Sequence, residues 1–193
     1  MKDYKSSQVR NVVLLGHRGE GKTTLVEAML HYTKQTDRMG KTVDGNSTMD
    51  YDAEEIKRGM SIYTSLCPIE WKDCKINFID TPGYNDFEGE LVAGLSVADN
   101  AVIVVGAKDG VEPGTEKAWE EARKRNIPTL FFVNKLDGEH TAFEKAYDDI
   151  KEHFGDNVVP FEVPINENGK VVGSVNVLKE KAFYYNDPTR SEE

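Results

Sequence analysis

Short apolar runs alternate with longer amphipathic stretches along this chain of 193 residues. Runs rich in apolar residues, with the length of buried β-strands, lie at 9–15, 76–79, 101–105 and 129–133. Stretches with apolar residues at helical spacing lie at 24–32, 87–98, 116–125 and 142–154. Apolar strands separated by helices are typical of a parallel sheet covered on both faces. The pattern therefore predicts an α/β fold of three layers, α/β/α.

One segment breaks this alternation. Residues 62–71 have strand-like character, and Lys72-Asp73 then turns the chain directly into the run at 76–79. A turn this short joins only antiparallel strands. We therefore expect a mostly parallel sheet with one antiparallel edge strand. The polar, acidic segment from about 36 to 61 has neither period, and we expect a long mobile loop there.

The character of the chain changes after residue 157. Residues 158–165 and 171–177 resemble strands, the turn between them falls at 166–169, and the polar residues 187–193 are expected to fray. We therefore predict one domain over residues 1–157, followed by a segment of different character over 158–193.

Composition narrows the class of protein. A net charge of −10 argues against nonspecific nucleic-acid binding by this domain, and we expect no sequence-specific contacts either. No apolar run is long enough for a membrane span, and the N-terminus lacks the apolar core of a signal peptide. The two cysteines are interpreted as free thiols, with a bridge across the hairpin as the alternative. We expect a cytoplasmic monomer without membrane contacts.

A phosphate-binding pattern follows the first predicted strand and opens the first predicted helix. The residues that match G-x-x-x-x-G-K-S/T are Gly16, His17, Arg18, Gly19, Glu20, Gly21, Lys22 and Thr23. The glycines let successive backbone N–H groups surround phosphate oxygens, and the helix adds the positive end of its dipole. Lys22 would reach the β- and γ-phosphates, Thr23 would ligate Mg²⁺, and Thr24 could donate to the α-phosphate. This loop alone does not define the base.

Two further motifs follow predicted strands, where ligands bind in open α/β sheets. In Asp80-Thr81-Pro82-Gly83, Asp80 can hold Mg²⁺ directly or through water. The Gly83 N–H can bond the γ-phosphate, and glycine permits that peptide to flip when the phosphate leaves.

The motif Asn134-Lys135-Leu136-Asp137 supplies base specificity. The Asp137 carboxylate can accept two hydrogen bonds from guanine N1–H and its 2-amino group, a donor pair that adenine lacks. The Lys135 stem can lie over the base, and Asn134 can tie this loop to the phosphate loop. The motifs predict GTP or GDP with Mg²⁺, and a P-loop ATPase is the competing interpretation.

Together these motifs resemble the G domain of translational GTPases, a P-loop NTPase fold. The residues that carry the resemblance are Arg58-Gly59-Met60-Ser61-Ile62, 80–87, Asp109-Gly110-Val111-Glu112 and 134–137. The chain most resembles the elongation factor G family, because 159–165 and 173–179 are similar to the insert within that G domain. The resemblance covers nearly the whole chain. It implies GTP hydrolysis and, through the full-length protein, the ribosome as partner. In that protein hydrolysis would be coupled to a movement on the ribosome, as in translocation.

The resemblance also implies that this sequence is a fragment, in which residues 158–193 are the incomplete start of the insert. The family's late loop that contacts guanine O6, and its downstream domains, would follow the insert beyond residue 193.

The departures from the family pattern bear on catalysis. Tyr84 stands where the family has the histidine that positions the attacking water, and a phenol is a weak base, with a reference pKa of about 10. Ser61 replaces the threonine on Mg²⁺ but keeps the hydroxyl. Gly19 replaces an aspartate of the phosphate loop. These changes are similar to those of elongation-factor-G-like paralogues in some bacteria.

Two hypotheses about function follow. In the first, the domain hydrolyses GTP, with Lys22 neutralising charge, Gly83 sensing the γ-phosphate and Tyr84 near the water. In the second, Tyr84 leaves a nucleotide-switched ribosome-binding module with weak or no hydrolysis.

Other polar residues are given structural roles. We interpret His17 as structural within the loop. His31, His140 and His153 are interpreted as surface or helix residues. The acidic residues of the long loop could suggest a metal site, but we interpret them as a solvated face; they are Asp50, Asp52, Glu54 and Glu55.

Overall fold

The computed structural model describes residues 2–167 and 169–185. Its strands are β1 (Val9–Leu15), β2 (Ser65–Trp71), β3 (Cys74–Asp80), β4 (Asn100–Gly106), β5 (Thr129–Asn134), β6 (Glu162–Glu167), β7 (Lys170–Asn176) and β8 (Lys181–Tyr184). Its helices are α1 (Lys22–Tyr32), α2 (Ala53–Arg58), α3 (Glu88–Ser96), α4 (Pro113–Lys124) and α5 (Phe143–Phe154). The expected fraying of 187–193 lies outside the described residues, as does Asn168 of the predicted turn.

The central sheet has the strand order β2-β3-β1-β4-β5. Strand β1 pairs in parallel with β3 and with β4. Strand β2 lies at the edge and pairs antiparallel with β3, from Ser65 opposite Asp80 to Trp71 opposite Cys74. Lys72 adopts a positive φ of 46° in the turn between them. The predicted mostly parallel sheet with one antiparallel edge strand is confirmed.

The edge strand begins three residues later than its apolar pattern suggests. The backbone N–H groups of Ile62 and Tyr63 donate to the Glu55 carboxylate, at 2.9 and 3.1 Å, and that of Thr64 donates to Glu90. These three amides are therefore committed to side chains, and the ladder starts at Ser65.

The core is built on the carboxyl-terminal half of β1, where Val13, Leu14 and Leu15 are fully buried. One buried cluster joins this strand to α1, the edge hairpin and a loop residue; its members are Leu14, Val26, Leu30, Met49, Cys67, Ile69 and Phe78. Both cysteines are free, as predicted, with Cys67 buried and Cys74 partly buried. Burial raises the pKa of the Cys67 thiol to about 11.

The segment from 36 to 61 is more ordered than its composition predicts, and the expectation of a long loop is wrong in part. It contains α2 and a 3₁₀ turn at Thr42–Asp44. Helix α2 is capped by Asp52, whose side chain accepts from the Glu54 N–H, and it ends at Gly59 in the left-handed conformation. The solvated acidic face is wrong for Asp50 and Glu55, which are 3% and 1% exposed.

Contacts within the chain divide it into two compact units, residues 1–105 with 112–132, and residues 106–111 with 133–193. In the second unit, β6, β7 and β8 form an antiparallel sheet of their own. The segment 106–111 is tied to α5, because the Val111 N–H donates to Asp149 at 2.6 Å. No helix among the described residues is long and apolar enough to cross a bilayer.

Candidate functional site

The phosphate-loop pattern connects the end of β1 to the start of α1, as predicted. Its glycines at 16, 19 and 21 have φ values of 129°, 77° and 93°, which other residues rarely adopt. A Cβ atom on Gly16 would collide with the carbonyl oxygen of Val104 on β4, whereas one on Gly19 would meet nothing within 4 Å. Gly16 is therefore required both by its conformation and by close packing against the sheet.

The other residues of the loop differ in exposure. Glu20, Lys22 and Thr23 are buried, whereas Arg18 and Thr24 are exposed. The loop thus turns some of its polar side chains inward and leaves others at the surface.

Lys22, the lysine of the phosphate-loop pattern, carries a buried charge. Its ammonium donates to the carbonyl oxygens of Gly16 and His17, at 2.9 and 2.8 Å. Burial lowers the pKa of Lys22 to about 8, against the opposing influence of Asp80 and Glu20. A phosphate beside this ammonium would raise the pKa of Lys22 again, because an opposite charge favours the charged form.

Two hydroxyls and two carboxylates meet beside Lys22. The Thr23 hydroxyl donates to Asp80 Oδ2 at 2.7 Å and lies 3.2 Å from the Ser61 hydroxyl. The Ser61 hydroxyl donates to Asp50 Oδ1 at 2.7 Å. The second oxygens, Asp80 Oδ1 and Asp50 Oδ2, are buried without a hydrogen-bond partner. Burial raises the pKa of Asp80 to about 7 and also raises that of Asp50.

The three residues predicted to hold a metal are therefore together, and Asp50 joins them. Asp50 belongs to the predicted solvated face, and no periodicity or motif marks it as a site residue. The orphaned oxygens and the adjacent hydroxyls are the hard ligands that Mg²⁺ prefers. Within the described residues no three acidic, His or Cys side chains form a metal cage. Mg²⁺ is commonly held by one or two carboxylates with phosphates and water, so the residues present fit it.

The segment after β3 lies against the phosphate loop. A Cβ atom on Gly83 would lie 2.5 Å from Lys22 Nζ and 2.7 Å from the Arg18 backbone N. The Arg18 guanidinium donates to the Tyr84 hydroxyl at 3.1 Å, and its carbon lies 5.0 Å from the centre of the Tyr84 ring. Arg18 of the phosphate loop is therefore in direct contact with Tyr84.

His17 joins the phosphate loop to the start of α4. Its Nδ1 accepts from the Gly114 N–H at 3.2 Å, and its Nε2 lies 3.5 Å from a Glu112 oxygen. Burial lowers the pKa of His17, which favours the neutral ring that this hydrogen bond needs. A Cβ atom on Gly114 would lie 2.8 Å from the His17 Cα, so the close approach requires glycine.

The predicted base-recognition motif belongs to the second unit. Asn134 ends β5, and its carbonyl accepts from the Ala107 N–H at 2.8 Å. Lys135 has a positive φ of 60°, and the Thr141 hydroxyl donates to the carbonyls of Leu136 and Gly138. This turn is hydrogen-bonded onto itself and leaves Asp137 exposed.

A glycine-bearing loop between a strand and a helix, with hydroxyl and carboxylate groups converging on its lysine, defines a P-loop nucleotide-binding protein. The sequence matches the family described as elongation factor Tu GTP binding domain over residues 7–186. The chain belongs to this family, and is a guanine-nucleotide-binding domain of the GTPase type.

The relatives are much longer than this chain. It is 38% identical over 187 residues to elongation factor G of Chlamydia caviae, which covers 97% of this chain and 27% of that protein. A crystal structure of a protein from Thermus thermophilus matches with a TM-score of 0.91 and 34% identity, over 97% of this chain and 28% of the other. The chain thus spans about a quarter of the length of these relatives.

Replacing Gly16 separates steric packing from backbone strain. We expect Gly16→Ala to lower the free energy of unfolding by about 2–4 kcal/mol, because it adds both strain and a clash with β4. Gly19→Ala, which meets open space, should cost about 1 kcal/mol from its positive φ. Urea unfolding of both variants measures the difference, and equal costs would contradict the assigned contact with Val104.

Proposed function

We propose that this chain is the GTP-binding and GTP-hydrolysing domain of a longer, elongation-factor-G-like protein that acts on the ribosome in the cytoplasm. The observation that carries the proposal is the cluster of Thr23, Ser61 and Asp80 beside the buried Lys22 ammonium. In this arrangement the cluster could bind a metal ion, and the Lys22 ammonium could bind a phosphate next to it. Residues 158–193 would begin the insert of this factor, and the domain itself would be monomeric, without membrane or sequence-specific nucleic-acid contacts.

The phosphates would lie on the backbone N–H groups of residues 16–23. Lys22 would neutralise the β- and γ-phosphate charge, and Thr24 would donate to the α-phosphate. Thr23, Ser61 and Asp80 would hold Mg²⁺, with Asp50 supporting Ser61. When bound, Mg²⁺ supplies charge neutralisation at the phosphate oxygens.

Hydrolysis would proceed by in-line attack of water on the γ-phosphorus of GTP, with GDP as the leaving group. There is little covalent chemistry for the protein in such a reaction, so catalysis is mostly positioning and electrostatics. The Gly83 N–H would bond the γ-phosphate, and the closeness of Gly83 to Lys22 supports that role. Tyr84 would lie near the water, which it could orient or shield.

Guanine would be selected by the motif in the second unit. Asp137 would accept from the base, the Lys135 stem would lie over it, and Asn134 would fix the turn. The exposure of Asp137 supports its availability to a ligand. The competing P-loop ATPase predicts no preference for guanine.

Nucleotide competition tests this proposal directly. We expect the 193-residue chain to bind a fluorescent GDP analogue that GDP displaces at least about 100-fold better than ADP, because adenine leaves the Asp137 carboxylate unpaired. Asp137→Ala should abolish the preference, and Glu139→Ala, which changes a neighbouring exposed carboxylate, should retain it. Displacement by ADP at the same concentrations as by GDP would contradict the assignment of guanine specificity.

A second function, a nucleotide-switched ribosome-binding module with little hydrolysis, is favoured by the contact between Arg18 and Tyr84. The phenol is a weak base near neutral pH, and its hydroxyl already accepts from the guanidinium. Such a module would bind GTP and dock, but its turnover would be slow.

Ribosome-stimulated hydrolysis in the longer protein separates the two functions. In single-turnover measurements we expect Tyr84→His to raise the rate at least about tenfold if the phenol is limiting, because imidazole is a better general base near pH 7. Tyr84→Phe keeps the ring and serves as the matched control. If ribosomes stimulate hydrolysis by neither the wild type nor Tyr84→His, the proposed hydrolytic function is wrong, and the ribosome-binding module is the function that the results support.

A further inference from the structure

A buried carboxylate on α1 has no role in the site as described so far. Glu27 is 1% exposed, on the same helix as Thr23 and one turn after it. A buried carboxylate is costly unless hydrogen bonds satisfy it. The helical pattern of α1 rests on its apolar positions and does not predict that Glu27 is buried.

Within the described part of the chain, the hydrogen-bond donors to the Glu27 carboxylate lie in one stretch, residues 40–49. One carboxylate oxygen accepts from the Ser47 hydroxyl at 2.8 Å, from the Met49 N–H at 3.2 Å and from the Thr48 N–H. The other accepts from the Gly40 N–H at 3.1 Å and from the Thr48 hydroxyl at 3.4 Å. A single side chain thus holds both ends of this polar stretch on α1.

The approach of Gly40 is close. A Cβ atom there would lie 2.5 Å from a Glu27 oxygen and 2.9 Å from the Asn46 carbonyl oxygen. The stretch is therefore fitted around the carboxylate, with glycine where the backbone comes nearest.

Hydrogen bonds connect Glu27 to the proposed metal ligands. The Ser47 hydroxyl, which donates to Glu27, accepts from the Asp50 N–H at 3.3 Å. Asp50 accepts from Ser61, and the Ser61 hydroxyl lies 3.2 Å from that of Thr23. The hydrogen bonds thus run from Glu27 to Ser61, whose hydroxyl lies against that of Thr23 on the same helix.

We infer that Glu27 is the positioning residue that seats residues 40–50 so that Asp50 and Ser61 meet Thr23, and that it thereby sets the Mg²⁺-dependent part of nucleotide affinity. The inference rests on the proposed function, since it concerns the same site. The phosphate contacts proposed for residues 16–23 do not involve Glu27. The metal-free part of the affinity should therefore be insensitive to it.

The test compares GDP affinity in excess Mg²⁺ with that in EDTA, for the wild type and Glu27→Gln. The amide keeps the volume but replaces one acceptor oxygen with a donor that faces N–H groups. We expect the Mg²⁺-dependent gain to fall about tenfold, the loss of a charge-assisted hydrogen bond, while affinity in EDTA stays within about twofold. Glu116→Gln, at an exposed position of α4, is the matched control and should change neither value.

A second variant and a second measurement distinguish a specific effect on the Mg²⁺-dependent affinity from misfolding. Ser47→Ala removes one link of the connection and leaves the carboxylate in place, and it should reduce the same gain. Hydrogen exchange without nucleotide or metal should accelerate at the amides of residues 40, 48 and 49 in Glu27→Gln.

The outcomes separate the inference from the proposed function. If the wild type shows a Mg²⁺-dependent gain that both variants retain, the inference is wrong and the proposed function stands. If affinity falls equally in Mg²⁺ and in EDTA, Glu27 is merely structural and the inference is also wrong. If the wild type binds no guanine nucleotide, the proposed function fails and the inference falls with it.

Discussion

The hydrogen bond from the Thr23 hydroxyl to the buried Asp80 carboxylate is the contact on which the site depends. It joins the start of α1 to the end of β3, and it forms because β1 and β3 pair in parallel with Leu14 opposite Asp80. Burial holds the pKa of Asp80 near 7 although Thr23 and Lys22 both favour the carboxylate. The site therefore holds a carboxyl group that a cation would convert to its charged form.

Buried carboxylates also order the polar segment that carries Ser61. Glu27 holds residues 40–49 and Glu55 holds the amides of Ile62 and Tyr63, on either side of the stretch that carries Asp50 and Ser61. Little of this segment is apolar, so its order comes mainly from charge-assisted hydrogen bonds. Met49 is the exception, because it packs into the core beside Val26 and Leu30.

The sequence predicted the sheet and most helices because their apolar periods are strong and their turns are short. Motifs with fixed spacing likewise predicted that Lys22, Thr23 and Asp80 share one site, and the structure places them side by side. That prediction was possible because phosphate and metal binding would restrict the residue types. Helix α2 was missed because six residues are too few to show a helical period. The burial of Glu27, Asp50 and Glu55 was missed because a pattern of polar positions predicts exposure. Glu27 and Glu55 are buried against backbone amides, and Asp50 is buried against the Ser61 hydroxyl. Only the folded chain brings these donors to the carboxylates.

The most direct test of this account is the proton released when Mg²⁺ binds. Calorimetric titration of Mg²⁺ into the GDP-bound chain at pH 7, in two buffers of different ionisation enthalpy, measures that release after subtraction of the same titration into free GDP. Burial raises the pKa of Asp80 to about 7, and a bound cation favours the carboxylate, so we predict a net release of protons when Mg²⁺ binds at pH 7. The release should fall as the pH rises to 8, because Asp80 is then already ionised. Binding heats that do not depend on the buffer at pH 7 would contradict the assignment of Asp80 to the metal site.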